Sequence, residues 1–116
     1  MTDQPLGSSD ALTDSLAHLA QTIDTRAGGD PSSSYTAQLL AGGPLKSGKK
    51  LAEEAVELAL ALAAEGDDEV ASEAADVLYH FMVALRARGI PLDAVAEALQ
   101  ARQGMSGLAE KASRGA

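Results

Sequence analysis

Apolar residues recur along this chain at helical spacing. From Ser9 or Asp10, either of which can cap a helix, Leu12, Leu16, Leu19 and Ile23 follow at intervals of three and four, which predicts an amphipathic helix ending before Gly28-Gly29. Asp30 to Ser34 is a turn-rich linker, and Ser34 can cap a short helix from Tyr35 to Ala41 that Gly42-Gly43 ends. Pro44 suits the first turn of a third helix running to Ala64. Gly48 lies inside that helix and weakens its first turns by ~1 kcal/mol relative to Ala. Gly66 is the expected C-terminal cap, and Asp67 or Asp68 the next N-terminal cap, before a fourth helix from about Asp68 to Arg88 ended by Gly89. A fifth helix, opened by Pro91 and Asp93, reaches about Gln103.

The fold class is therefore all-α, a bundle of about five helices, with the third and fourth antiparallel because the turn between them is short. At 100° per residue, Leu51, Val56, Leu58, Leu60 and Leu62 surround the third helix instead of keeping to one stripe. A helix apolar on most sides is buried on most sides. Five helices in so small a chain are too few to cover both central ones, so the core is expected to be completed by a second subunit, giving a homodimer. The domain spans residues 9–103, between a flexible N-terminal tail (1–8) and a tail of small residues (104–116), either disordered or docking a partner.

Composition narrows the classes of function. The chain of 116 residues has no Cys, two Tyr, one Phe and no Trp, which favours helices and excludes disulfides, thiolate metal sites and cysteine nucleophiles. A formal charge of −8 argues against nucleic-acid binding, which needs a basic surface. No basic leader precedes an apolar run and no apolar stretch approaches the ~20 residues of a membrane span, so a soluble cytoplasmic protein without a membrane partner is expected.

The acidity is concentrated. Glu53, Glu54 and Glu57 on the third helix, and Glu73 and Asp76 on the fourth, lie three or four residues apart and share faces. Lys46, Lys50, Glu53 and Glu57 form a stripe that continues into Ala61 and Ala64, and Glu69, Glu73, Asp76 and His80 form one that continues to Ala84. Each stripe begins charged and ends apolar, whereas a solvated face would stay polar to its end. Five carboxylates converging between two helices push one another towards protonation unless a cation joins them. Hard oxygen ligands at this density suit Mg2+, which keeps water and phosphate oxygens as its other ligands.

These residues carry a resemblance. Glu53-Glu54-Ala55-Val56-Glu57 followed by Glu73-Ala74-Ala75-Asp76 is similar to the EExxE and ExxD signature of the all-α nucleoside triphosphate pyrophosphohydrolases, which include MazG proteins and dimeric dUTPases. Within that superfamily the chain resembles the phosphoribosyl-ATP pyrophosphohydrolase family of histidine biosynthesis. The likeness includes the segment Ser34 to Leu40, the Lys46-x-x-Lys49-Lys50 lead into the acids, the run Ser72 to His80 and the terminal run Ser106 to Arg114. It implies Mg2+-dependent hydrolysis of phosphoribosyl-ATP to phosphoribosyl-AMP and pyrophosphate, the second step of that pathway.

Glu53, Glu57, Glu73 and Asp76 are candidate ligands of the metal, which must bridge a triphosphate and a carboxylate-lined site. Glu54, about 100° round the helix from Glu53, is a candidate ligand or the base that orients the attacking water; Glu54 and Glu57 are the candidate catalytic residues. Lys46, Lys49 and Lys50 either reach outer phosphates or form a solubilising cluster. His80 is a packed residue or a substrate contact, and family analogy adds Tyr35 and Thr36 as substrate contacts. Arg86 and Arg88 complement a helix end or contact phosphate. The alternatives are a house-cleaning pyrophosphohydrolase for non-standard nucleotides and a non-catalytic helical dimerisation module. A P-loop is excluded because Lys50 stands where Ser or Thr is needed and no strand precedes it.

Overall fold

The protein is described by a computed structural model over residues 4–115. It contains α1 (Asp10–Arg26), α2 (Tyr35–Ala41), α3 (Gly43–Ala64), α4 (Asp67–Arg88), α5 (Leu92–Ala101) and α6 (Gly107–Ser113), and no strand among the described residues. The expected N-terminal tail falls partly on residues 1–3, outside the described ones.

Local chemistry accounts for most of the boundaries. Ser9 caps α1 by accepting from the Leu12 amide at 3.0 Å, and Ser34 caps α2 by accepting from the Ala37 amide at 3.2 Å. Each hydroxyl satisfies one of the amides that a helix start leaves without a partner. At the end of α4, Gly89 adopts φ 79°, its amide donating to the Arg86 carbonyl while the Ile90 amide donates to the Leu85 carbonyl. That pattern is the left-handed glycine cap.

The α3–α4 turn departs from expectation. Glu65 ends α3 in an extended conformation and Gly66 stands as the residue before α4, at φ −79°. Gly66 is therefore no left-handed cap of α3. Asp67, Asp68 and Glu69 occupy the first turn of α4, where their charge complements the helix dipole, so neither aspartate serves as the N-cap. The helix α3 runs unbroken through Gly48. The helices among the described residues number six where about five were expected: Ser106 caps α6, accepting from the Ala109 amide at 3.0 Å. Glu110 of α6 reaches Arg102 at 3.3 Å and Arg114 at 2.8 Å.

Helices α3 and α4 pack chiefly against each other, while α1 and α2 lean on α4. The core is built from Ile23, Leu39, Met82 and Val83, with Leu16, Leu19, Leu40, Tyr79 and Phe81 around it. Ser47 is buried and donates to the Leu39 carbonyl at 3.2 Å, tying α3 to α2. Ala61 is fully buried and His80 nearly so, but Ala64, expected to continue the α3 stripe into the core, is exposed, and Ala84 at the end of the α4 stripe is half-buried. Leu45, Val56, Leu60 and Leu62 of α3 remain exposed in the single chain. No helix among the described residues is long and apolar enough to cross a membrane.

Candidate active site

Three of the five singled-out carboxylates meet. Glu54 and Glu57 from α3 and Glu73 from α4 bring carboxylate oxygens within 4.8 Å of one another. Their convergence follows from the fold: a two-residue connection, Glu65-Gly66, folds α4 back along α3, so acids placed early in α4 face those in the middle of α3. Glu54 and Glu73 are half-buried and Glu57 is exposed.

The electrostatics record the crowding. Glu54 is held above the ordinary carboxylate range, first by the hydrogen bond its protonated form makes with Glu57, then by burial and by the charges of Glu57, Asp76 and Glu73. Glu73 is also raised, by burial first and then by the charges of Glu57, Asp76 and Glu65. One Glu73 oxygen, Oε2, is buried without a hydrogen-bond partner. A buried anionic oxygen with no donor is costly, and three converging carboxylates leave it facing acceptors only. A divalent cation relieves both faults, so this donor set fits one.

The other two carboxylates border the group. Asp76 is exposed and its charge acts on Glu54, Glu73 and His80. Glu53 is exposed and pairs with Lys50 at 3.2 Å, a contact that raises the lysine's pKa, with Tyr35 adding to the effect. Lys46 and Lys49 are exposed and form no ion pair among the described residues. Arg86 bonds Asp24 of α1 at 2.8 Å, which fixes α1 to the end of α4. A groove of about 540 Å³, lined by residues that include Ile23, Met82, Ile90 and Pro91, takes in Arg86 but none of the five carboxylates or the lysines.

His80 turns Nε2 towards Glu54 Oε1 at 3.8 Å, and its Nδ1 is buried without a partner. Burial, with Lys50 assisting, lowers its pKa against the opposing pull of Asp76 and Glu53. The imidazole also forms an aromatic group with both tyrosines. Tyr35 stacks on Tyr79, and His80 stands edge-on to each. Tyr79 OH and the buried Thr36 Oγ1 share a hydrogen bond of 2.6 Å. Tyr79 had no assigned role in the sequence reading, because a partner 43 residues away leaves no trace in local spacing. The rarity of tyrosine in this chain was the available signal.

Comparison with known proteins decides the family. The model of the family described as "Phosphoribosyl-ATP pyrophosphohydrolase" matches residues 16–103. The chain belongs to this family. A phosphoribosyl-ATP pyrophosphatase of Caulobacter vibrioides is 58% identical over 106 residues, covering 91% of this chain and 98% of that protein. The protein of the same name from Cereibacter sphaeroides is 56% identical over 101 residues, covering 86% and 97%. That of Ruegeria sp. is 52% identical over 99 residues, covering 85% and 94%. The stretch matched by the phosphoribosyl-ATP pyrophosphohydrolase family contains the carboxylates, the lysines and the Tyr35, Thr36, Tyr79 and His80 group.

Proposed function

We propose that this protein hydrolyses phosphoribosyl-ATP to phosphoribosyl-AMP and pyrophosphate with Mg2+, the second step of histidine biosynthesis. The carrying observation is the convergence of Glu54, Glu57 and Glu73 within 4.8 Å in a chain of the phosphoribosyl-ATP pyrophosphohydrolase family. Glu57 and Glu73 hold the metal, with Asp76 at its border and Glu53 reaching it once released from Lys50. Bound Mg2+ supplies charge neutralisation and polarises phosphoryl oxygens. Glu54, the carboxylate that also faces His80, contributes to the metal site and accepts the proton of the attacking water. Lys46, Lys49 and Lys50 hold the outer phosphates as mobile positive charges. Tyr35, Thr36 and His80 form the wall that receives the rest of the substrate.

The working unit is a homodimer, and the cytoplasm, where such a biosynthetic step belongs, is the compartment. Leu45, Val56 and Leu60, with Ala52 and Ala63 between them, share the side of α3 turned away from buried Ser47 and Ala61, and a second copy covers that side. The domain unit is residues 9–103, with α6 an appendage.

Pyrophosphate release from phosphoribosyl-ATP, with and without Mg2+ and beside a panel of ordinary and damaged nucleoside triphosphates, tests the reading. Mg2+-dependent release from phosphoribosyl-ATP alone is expected. Release from the panel instead transfers the protein to nucleotide house-cleaning, and silence on every substrate leaves a helical interaction module.

A further inference from the structure

Only three residues of this chain carry a phenyl or phenol ring, and the two tyrosines meet beside the carboxylates. Phe81 packs on the core, but Tyr35 keeps 50% of its surface open. Its ring lies 6.4 Å from that of Tyr79 at an interplanar angle of 18°, and 6.1 Å from His80 at 85°. Tyr79 and His80 are themselves 5.0 Å apart at 80°. Tyr79 is anchored through its hydroxyl to Thr36, and His80 is buried. The exposed ring is thus backed by two fixed ones, at little further cost in side-chain freedom on binding. An apolar ring kept in water by a rigid support is an arrangement that folding alone does not call for.

The position relative to the carboxylates is also informative. His80 Nε2 is 3.8 Å from Glu54 Oε1, so Tyr35 stands one imidazole away from the carboxylate assigned to the attacking water. A ribose interposes a comparable gap between a nucleotide's base and its α-phosphate. In phosphoribosyl-ATP the purine carries a second sugar on N1, and substitution there makes the adenine ring a delocalised cation near neutral pH, whereas the ring of ATP is neutral. A cation over the face of a tyrosine is attracted by the ring quadrupole.

We propose that Tyr35 is a specificity-determining stacking platform that takes the purine of the substrate and favours the N1-substituted, cationic ring over the neutral ring of ATP. This inference rests on the hydrolase reading above. The neighbouring carboxylates also attract a cation, so the test must isolate the ring. Calorimetric titration would compare the non-hydrolysable α,β-methylene analogues of ATP and of N1-methyl-ATP, using wild type, Tyr35→Phe and Tyr35→Leu, with Mg2+ present.

Wild type is expected to bind the N1-methyl compound about two- to ten-fold more tightly, Tyr35→Phe to keep that preference and Tyr35→Leu to lose it. A preference that survives in Tyr35→Leu belongs to the carboxylates and overturns the proposal, as does equal binding of both compounds by wild type. A far-ultraviolet spectrum with native helix content qualifies each variant, and Tyr35→Ala replaces Tyr35→Leu if the latter does not fold. Pyrophosphate release from phosphoribosyl-ATP by wild type separates the two levels. Release without a Tyr35-dependent preference overturns the platform alone, whereas absence of release overturns the hydrolase reading and the platform with it.

Discussion

Glu54, Glu57 and Glu73 repel one another in the metal-free protein, and function is expected to oppose stability at these residues. Glu57 is exposed, so Glu57→Gln removes a repelling charge without opening a cavity. Metal-dependent turnover should fall at least about a hundred-fold, while the metal-free melting temperature stays level or rises. A melting temperature that falls along with activity would make Glu57 a structural residue. The pH dependence has a defined sign. Glu54 and Glu73 have folded pKa values above the ordinary 4.5, so the folded state holds these protons more tightly than the unfolded chain does. The site is then least destabilising below 4.5, and stability falls as pH rises through the raised values. Metal binding needs the deprotonated carboxylates. At ten times its Kd, Mg2+ adds about 1.4 kcal/mol, and its effect on the melting temperature should be clearly larger at pH 7.5 than at pH 5. Equal shifts at both would place the ion elsewhere. Thr36→Val should cost about 1 kcal/mol by stranding the Tyr79 hydroxyl, and denaturant unfolding of the single and double variants with Tyr79→Phe would reveal the coupling.

Glycine shows how far an element can be read from its residues. Gly48 and Gly89 each have a basic neighbour, but the sequence places the first inside a helix and the second at a helix end, and their backbones differ accordingly. A Cβ on Gly48 would meet nothing within 4 Å, and its conformation is helical. Gly48→Ala should therefore stabilise the protein by about 0.5–1 kcal/mol. Gly89 needs φ 79°, so Gly89→Ala should destabilise it by about 1–2 kcal/mol. Thermal unfolding of the pair checks both signs, and a shared sign would contradict this account of α3 and α4. Helix starts with a Ser cap were legible because the capping hydroxyl acts within three residues, as at Ser9 and Ser34. The α3–α4 turn was less so, since Gly66 and the following aspartates fit two capping arrangements and only the backbone path chooses between them. The acidic motifs were legible because helical periodicity sets their faces. Which three carboxylates meet depends on the rotation of α3 against α4, a property of packing that no single helix carries, whereas the Glu53–Lys50 pair is three residues apart within α3.

At the scale of the molecule, the single chain is more open than a compact domain of its size. Its radius of gyration is 16.3 Å, against about 13 Å for a compact domain of this length. It exposes 8402 Å², where a compact monomer of its mass would expose about 5,900 Å². Part of the excess belongs to α5 and α6, which stand away from the core. Another part is the apolar side of α3 on which Leu45, Val56 and Leu60 lie exposed. A symmetric pairing through that side would bury it against the same side of another copy, and a stable interface needs about 1,200–2,000 Å² in total, well within the excess. Sedimentation should accordingly give twice the 11.8 kDa of one chain. Leu60→Asp would bring a carboxylate from each copy into that interface, at a cost on the order of 3 kcal/mol for each unpaired buried charge, so dissociation should become at least about a hundred-fold easier. Because Leu60 is exposed in the single chain, the same substitution should leave the α1, α2 and α4 core untouched and the helix content of the released monomer nearly intact. A monomeric wild type, or a Leu60→Asp protein that still pairs, would move the contact to another face and leave the exposed side of α3 to a different partner.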